Sequence, residues 1–220
     1  MVNYIYLFRH GQSTYNRDGK FTGWKDAHLT AKGKSNAKAI ALKLKGKKID
    51  VAIRTRLSRS KETLEIVLKS HPECKKIIED DRMIERSYGV LEGTTHEAFI
   101  KKIGEKAYNL LVYGDALENI SDRKLIKEIE NFLGNKEYDM IHRGYNVRVP
   151  KGESFADVEK RVKPFITWLK IYVRKNKVNV AISAHGNSIR IFRKIFENTS
   201  REEASKWFIP YDKIFVYRIN

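Results

Sequence analysis

Residues 3–11 read Asn3-Tyr4-Ile5-Tyr6-Leu7-Phe8-Arg9-His10-Gly11. Asn3–Phe8 is a short apolar run that stops abruptly at Arg9-His10-Gly11, which predicts a buried strand emptying into a loop. The same pair returns as His185-Gly186, directly after a second such run, Asn179–Ser183. Helical patterns lie between the strands. Thr30 suits the N-cap of a helix whose apolar face carries Ala37, Ile40, Ala41 and Leu44. Asp50-Val51-Ala52-Ile53 reads as a strand, and Ser58 opens a helix with Leu64, Val67 and Leu68 inward. Ser154 and Asp157 form a capping-box-like start, followed by Phe155, Val158, Val162, Phe165, Ile166, Leu169 and Val173 at helical spacing. Pro164 is expected to kink that helix or shift its start. A helix with Ile191, Ile195 and Phe196 follows His185, and Lys213–Ile219 reads as the last strand.

Strands separated by helices predict an α/β three-layer sandwich, with a mostly parallel central sheet and helices on both faces. One domain over residues 1–220 accommodates all of it. The stretch from about Gly104 to Pro150 is poorly periodic. It is taken as part of a helical insertion over about 94–150, on the substrate side of the domain.

Composition narrows the class. The 220 residues are 41% hydrophobic, enough to build a core, which excludes wholesale disorder. No apolar run approaches the roughly 18–20 residues that cross a bilayer, and the start lacks the order of a signal peptide. The single cysteine, Cys74, makes neither an internal disulfide nor a multi-thiolate site. The expectation is a soluble, cytoplasmic protein with no membrane partner. No carboxylate cluster has metal-ligand spacing, so no metal is expected. Lys+Arg number 44 against 27 Asp+Glu, a net +17. Such a surplus either solvates a lysine-rich surface (Lys43, Lys45, Lys47, Lys48) or meets an anionic partner. Without a helix-turn-helix, zinc-finger spacing or RNP-like motif, no specific nucleic-acid partner is expected. A small anionic phosphorylated substrate fits better. Charge and composition leave monomer and homo-oligomer both open.

In parallel sheets, ligands collect at the carboxyl ends of strands, where loops run into helix N-termini. Both His-Gly pairs fall there. Alone, either is an ordinary strand-to-loop turn. Together they bring two imidazoles to one sheet edge. A neutral imidazole with one nitrogen held by a hydrogen bond is a competent phosphoryl acceptor. Arg9 and Arg59 offer forked donors to phosphate oxygens. Gly11 lets the backbone come close, while Asn16, Asn187 and Ser188 contribute polar groups. Glu85, followed by Arg86 and Tyr88, supplies a carboxyl whose protonated form like charge from phosphate would favour, which suits proton transfer. The expected picture is of His10 and His185 facing each other across one bound phosphoryl group.

These segments resemble the histidine phosphatase superfamily, and within it the branch of cofactor-dependent phosphoglycerate mutases. The resemblance is carried by LFRHGQSTYN (Leu7–Asn16), FTGWKDAHLTAKG (Phe21–Gly33), LSRSKETLEIVL (Leu57–Leu68), ERSYGVLEG (Glu85–Gly93), VPKGESFADVEKRVKPF (Val149–Phe165) and AHGNSIR (Ala184–Arg190). It implies that His10 becomes a phosphohistidine and Glu85 acts as general acid and base. It implies that His185 stabilises the transferring group, with Arg9 and Arg59 neutralising its oxygens. Ser13, Asn16, Thr22, Gly23, Arg86, Tyr88, Gly186 and Asn187 match phosphate or substrate contacts. The implied reaction is interconversion of 3- and 2-phosphoglycerate, primed by 2,3-bisphosphoglycerate; a phosphomonoesterase of the same superfamily is the alternative. Physically, arginines and imidazoles can neutralise a transferring phosphoryl group without metal.

The chain departs from the mutase pattern where those enzymes grip the substrate's other anionic groups. The position of a conserved-type lysine is His96, and an arginine pair is replaced by Leu111 and Val112. Lys101, Lys102, Arg123, Lys124, Arg143 and Arg148 are the cations in sequence reach that could compensate. His28, His71, His96 and His142 are otherwise expected on surfaces or loops, and Trp24, Trp168 and Trp207 as core or loop anchors.

Overall fold

The computed structural model describes residues 2–117 and 120–220. Among them run five strands: β1 (Asn3–Arg9), β2 (Val51–Arg54), β3 (Lys76–Glu79), β4 (Val180–Ala184) and β5 (Ile214–Ile219). They form one sheet in the order β3-β2-β4-β1-β5. The first four strands of that order pair in parallel, and β5 runs antiparallel along β1. The short β3, Lys-Ile-Ile-Glu, was not expected; its Ile77 is half exposed at the sheet edge, so no buried run announces it.

The helices are α1 (Thr14–Arg17), α2 (Ala31–Leu44), α3 (Ser58–Leu68), α4 (His96–Tyr113), α5 (Arg123–Arg143), α6 (Phe155–Asn176), α7 (Gly186–Glu197) and α8 (Arg201–Lys206). Strand alternation sorts side chains to two faces. Ile5 and Leu7 of β1 join Val51, Ile53, Val180 and Ile182 against α6 and α7. Tyr6 and Phe8 point the other way, joining Ala52 and Ala181 against Ile40 and Leu44 of α2 and Leu64 and Val67 of α3. Each large apolar side chain removed from water this way contributes about 1.5–3 kcal/mol, and Phe8, Ile40, Phe165 and Phe192 are wholly buried. The three-layer α/β sandwich follows from those two faces.

One local expectation is corrected. The helix carrying Pro164 runs unbroken from its Ser154 cap, because the proline lies on the exposed face beyond the first turn and the apolar stripe alone fixes the helix in place. Ser58 opens α3 as expected; its backbone N–H donates to Asp26 Oδ1 at 2.8 Å, while the preceding Leu57 offers no side-chain cap. The stretch that looked aperiodic holds two long helices, α4 and α5. They cross at glycines: a Cβ at Gly104 would lie 2.0 Å from Glu130 O, and one at Gly134 would lie 2.1 Å from Ile100 O. Residues 118–119, between these helices, lie outside the described residues. At the inner end of this helical pair a third apolar cluster joins Phe21, Tyr88, Phe99, Ile141 and Val149. No helix among the described residues is long and apolar enough to cross a membrane.

Candidate active site

Parallel strands deliver the site. β1 and β4 are neighbours with Arg9 opposite Ala184, and His10 N–H continues the ladder to Ala184 O at 3.0 Å. That register brings His10 and His185 to the same sheet edge, with ring centroids 4.9 Å apart and planes tilted by 55°. β2 ends nearby and leads through Thr55 into α3, which supplies Arg59.

The carbonyl oxygen of Gly11 lies 2.7 Å from His10 Nδ1 and can only accept, so Nδ1 carries the proton. In a neutral ring, Nε2 is then an unprotonated lone pair. Burial first, then the charges of Arg59 and Arg9, pull the His10 pKa well below its ordinary value and keep the ring neutral. His185 is lowered in the same way by burial, Arg59 and His10. Its Nε2 lies 2.8 Å from the Thr55 hydroxyl, while its buried Nδ1 has no protein partner. The expected arrangement of two open rings across a phosphoryl group is corrected here: His10 lines the cavity, whereas His185 is fully buried and packs directly against the His10 ring.

The cavity over His10 measures about 240 Å³. Arg9, Lys20, Arg59, Arg143 and Arg190 line it, with Glu85 the one carboxylate in the wall among the described residues. Arg59 is held rigidly, donating to Lys25 O at 3.0 Å and Gly23 O at 2.8 Å, and burial lowers its pKa to about 10. Arg9 donates to Ile209 O at 3.0 Å and stacks on Tyr211, leaving its buried Nε without a partner. Glu85 Oε1 accepts from the backbone N–H groups of Arg86 at 2.8 Å and Asn187 at 3.1 Å. Its peptide carbonyl accepts from Trp24 Nε1 at 2.7 Å and from Arg161 at 3.0 Å.

Of the other sequence candidates, Asn16, Thr22, Gly23, Tyr88, Gly186 and Asn187 line the same cavity. Two do not. Ser13 is the N-cap of α1, bonded to Asn16 Oδ1 at 2.9 Å, so it turns the Asn16 amide nitrogen free of that contact. Arg86 is completely buried between Tyr88 and Phe155 and donates to Ile141 O at 2.7 Å, behind the wall. Leu111 and Val112 are likewise absent from the lining, as are Lys101, Lys102, Arg123, Lys124 and Arg148; the last is paired with Asp157 at 2.6 Å.

His96 and His142, expected on surfaces, line the cavity together with Tyr138. They form an aromatic cluster in which Tyr138 stacks on His142 with centroids 4.2 Å apart. Burial, with Arg86, His96, Arg143 and Arg190 nearby, lowers the His142 pKa to about 3, so this wall is neutral. Arg190, also unforeseen, donates to Asn187 Oδ1 and to Trp207 O, both at 2.6 Å. Its place in HGNSIR, one helical turn after Asn187, was the available signal.

Comparison with known proteins agrees with this geometry. A family profile described as histidine phosphatase superfamily (branch 1) matches residues 5–115 and 121–220. A 2,3-bisphosphoglycerate-dependent phosphoglycerate mutase from Buchnera aphidicola subsp. Acyrthosiphon pisum is 37% identical over 195 residues, covering 86% of this chain and 81% of that protein. The crystal structure of phosphoglycerate mutase from Bacillus anthracis str. Sterne shares the fold with a TM-score of 0.70 at 18% identity, covering 99% of this chain and 88% of its own. The alpha-ribazole phosphatase from Shigella flexneri does so at 0.69 and 20% identity, covering 97% and 89%. The fold is therefore common to mutases and phosphatases, and the chain belongs to branch 1 of the histidine phosphatase superfamily.

Proposed function

We propose that this chain interconverts 3- and 2-phosphoglycerate by phosphoryl transfer through a phosphohistidine at His10. The observation that carries the reading is the neutral His10, with Nδ1 bonded to Gly11 O and Nε2 free, in the wall of a cationic cavity. The 31–37% identity to proteins named 2,3-bisphosphoglycerate-dependent phosphoglycerate mutases supports the choice of substrate. A cytoplasmic location accompanies it.

The priming group fits the residues present: among the described residues five cations face one carboxylate, and Arg9 Nε is a buried donor without a partner. Arg9, Arg59 and Asn16 would hold 2,3-bisphosphoglycerate, whose chemical contribution is the phosphoryl group that charges His10. In the transfer, the 2-hydroxyl oxygen of 3-phosphoglycerate attacks phosphorus, the P–N bond to His10 Nε2 breaks, and the hydroxyl proton passes to Glu85. His10 Nε2 then takes the phosphoryl group from the 3-oxygen, and Glu85 returns the proton to that oxygen. Arg9 and Arg59 neutralise the equatorial oxygens, and fixed donors of this kind need no reorganisation as charge develops. His185 buttresses the His10 ring from behind the cavity wall.

A phosphomonoesterase is the second reading, favoured by the neutral His96 at a position where mutases carry a lysine. The test is a product assay on 3-phosphoglycerate with and without 2,3-bisphosphoglycerate. The mutase reading expects 2-phosphoglycerate, accelerated by the primer. Free phosphate without 2-phosphoglycerate would replace it with the hydrolase.

A further inference from the structure

A single phosphoryl group leaves much of the cavity's charge unanswered. Among the described residues, five cationic side chains line it against Glu85 alone. Arg9 and Arg59 come from the β1 and β2 ends, beside His10. Arg143 and Arg190 come from elsewhere, the last turn of α5 and the middle of α7. No carboxylate among the described residues lies within salt-bridge distance of either. Both are nonetheless anchored by neutral oxygens. Arg143 donates to Ser205 O at 2.9 Å, and Arg190 to Trp207 O and Asn187 Oδ1. Those bonds fix one or two guanidinium nitrogens and leave NH2 of each free of protein partners. Burial first, then the Arg143 charge, lower the Arg190 pKa to about 10 against the opposing pull of Tyr88 and Glu85. Like charges brought this close cost free energy that an anionic ligand relieves.

We propose that Arg143 and Arg190 form a second anion subsite, which takes the substrate's carboxylate or outer phosphate while His10 works on the other phosphate. The inference deepens the phosphoglycerate reading and rests on it for the ligand. It assigns the grip to α5 and α7, in place of positions 111 and 112 on α4. Arg143 is the specificity-determining member, because a fork of donors matches a carboxylate in two-point contact. Arg190 also orients Asn187, so its loss would disturb more than the subsite.

The test compares two ligands with the same phosphate. 3-Phosphoglycerate carries a carboxylate; sn-glycerol 3-phosphate has a hydroxymethyl group instead. Titration calorimetry on the wild type is expected to show 3-phosphoglycerate binding at least about tenfold tighter, the scale of one charge-assisted contact. In Arg143→Met that preference should fall about tenfold. Arg143→Gln, which keeps a donor for Ser205 O but no charge, should lose it equally, and Arg143→Lys should recover part. Equal weakening of both ligands in Arg143→Gln would reduce Arg143 to a structural tie, and an undiminished preference, or no 3-phosphoglycerate binding by the wild type, would overturn the subsite. A wild type that shows the preference, loses it in both variants, and yet forms no 2-phosphoglycerate would keep the subsite and overturn the mutase reading alone.

Discussion

Arg161 makes five guanidinium hydrogen bonds, three to backbone carbonyls of the segment that carries Glu85 and two to Glu153. Nε and NH2 donate to Glu153 at 2.9 and 3.0 Å, NH1 to the carbonyls of Arg82 and Ile84, both at 2.9 Å, and NH2 to that of Glu85 at 3.0 Å. Glu153 in turn accepts from Ser87 N–H at 3.0 Å. Arg161→Lys keeps the charge and loses the fork. It is expected to lower kcat by about 10–100-fold with little change in KM, since small displacements of an acid slow transfer steeply. Steady-state rates on a leaving-group series check the cause: loss concentrated on poor leaving groups marks a misplaced acid, and uniform loss marks general loosening. At this scale the sequence is legible where chemistry sits in a local motif. His10, Arg9, Arg59 and His185 stand beside a glycine, a helix start or a strand end that betrays their place, and Glu85 stands in the ERSYG motif. Arg161 and His142 carry no such mark, and Trp24 and His96, though beside Gly23 and the Thr95 cap, give no sign of the cavity they reach; Arg86, motif-borne, turns out to serve the core.

Among the elements, the α4–α5 pair decides what the cavity admits, since α5 supplies Tyr138, His142 and Arg143 and α4 supplies His96. Its close crossing depends on Gly104 and Gly134. In Gly134→Ala the new methyl would meet the Ile100 carbonyl, and backbone cannot yield as a side-chain end does. A loss of about 1–3 kcal/mol is expected, read as a lower Tm, together with a raised KM for 3-phosphoglycerate as the α5 end shifts. Wild-type values of both would mean that the helices can part without cost. The helices with wide apolar stripes, α2, α3, α6 and α7, were legible because burial writes a 3.6-residue period. The short, half-exposed β3 writes no such signal, and Pro164 misled because a proline on the outer face is tolerated where packing holds the inner one.

For the whole molecule, the buried neutral histidines tie stability to pH. His10 and His185 have folded pKa values well below the unfolded one, near 6.5. Below about pH 6.5 the unfolded chain binds protons that the folded chain refuses, so stability present above that pH drains away as pH falls. Each such residue adds a slope of up to about 1.4 kcal/mol per pH unit. Denaturant midpoints between pH 7 and 5 should therefore fall, and His10→Gln should flatten the dependence; a profile equal to wild type would show that His10 is not held neutral. The layered architecture as a whole was legible from strand and helix order, because a sheet covered on both faces admits few other arrangements. One consequence reaches beyond any single residue. Since adjacent rails of one ladder align positions 10 and 185, a deletion inside β1 or β4 would swing an imidazole to the opposite side of the sheet. The connections tolerate what the rails cannot: grafting another helical hairpin in place of α4 and α5 would retarget the enzyme to new molecules while its transfer machinery stayed put.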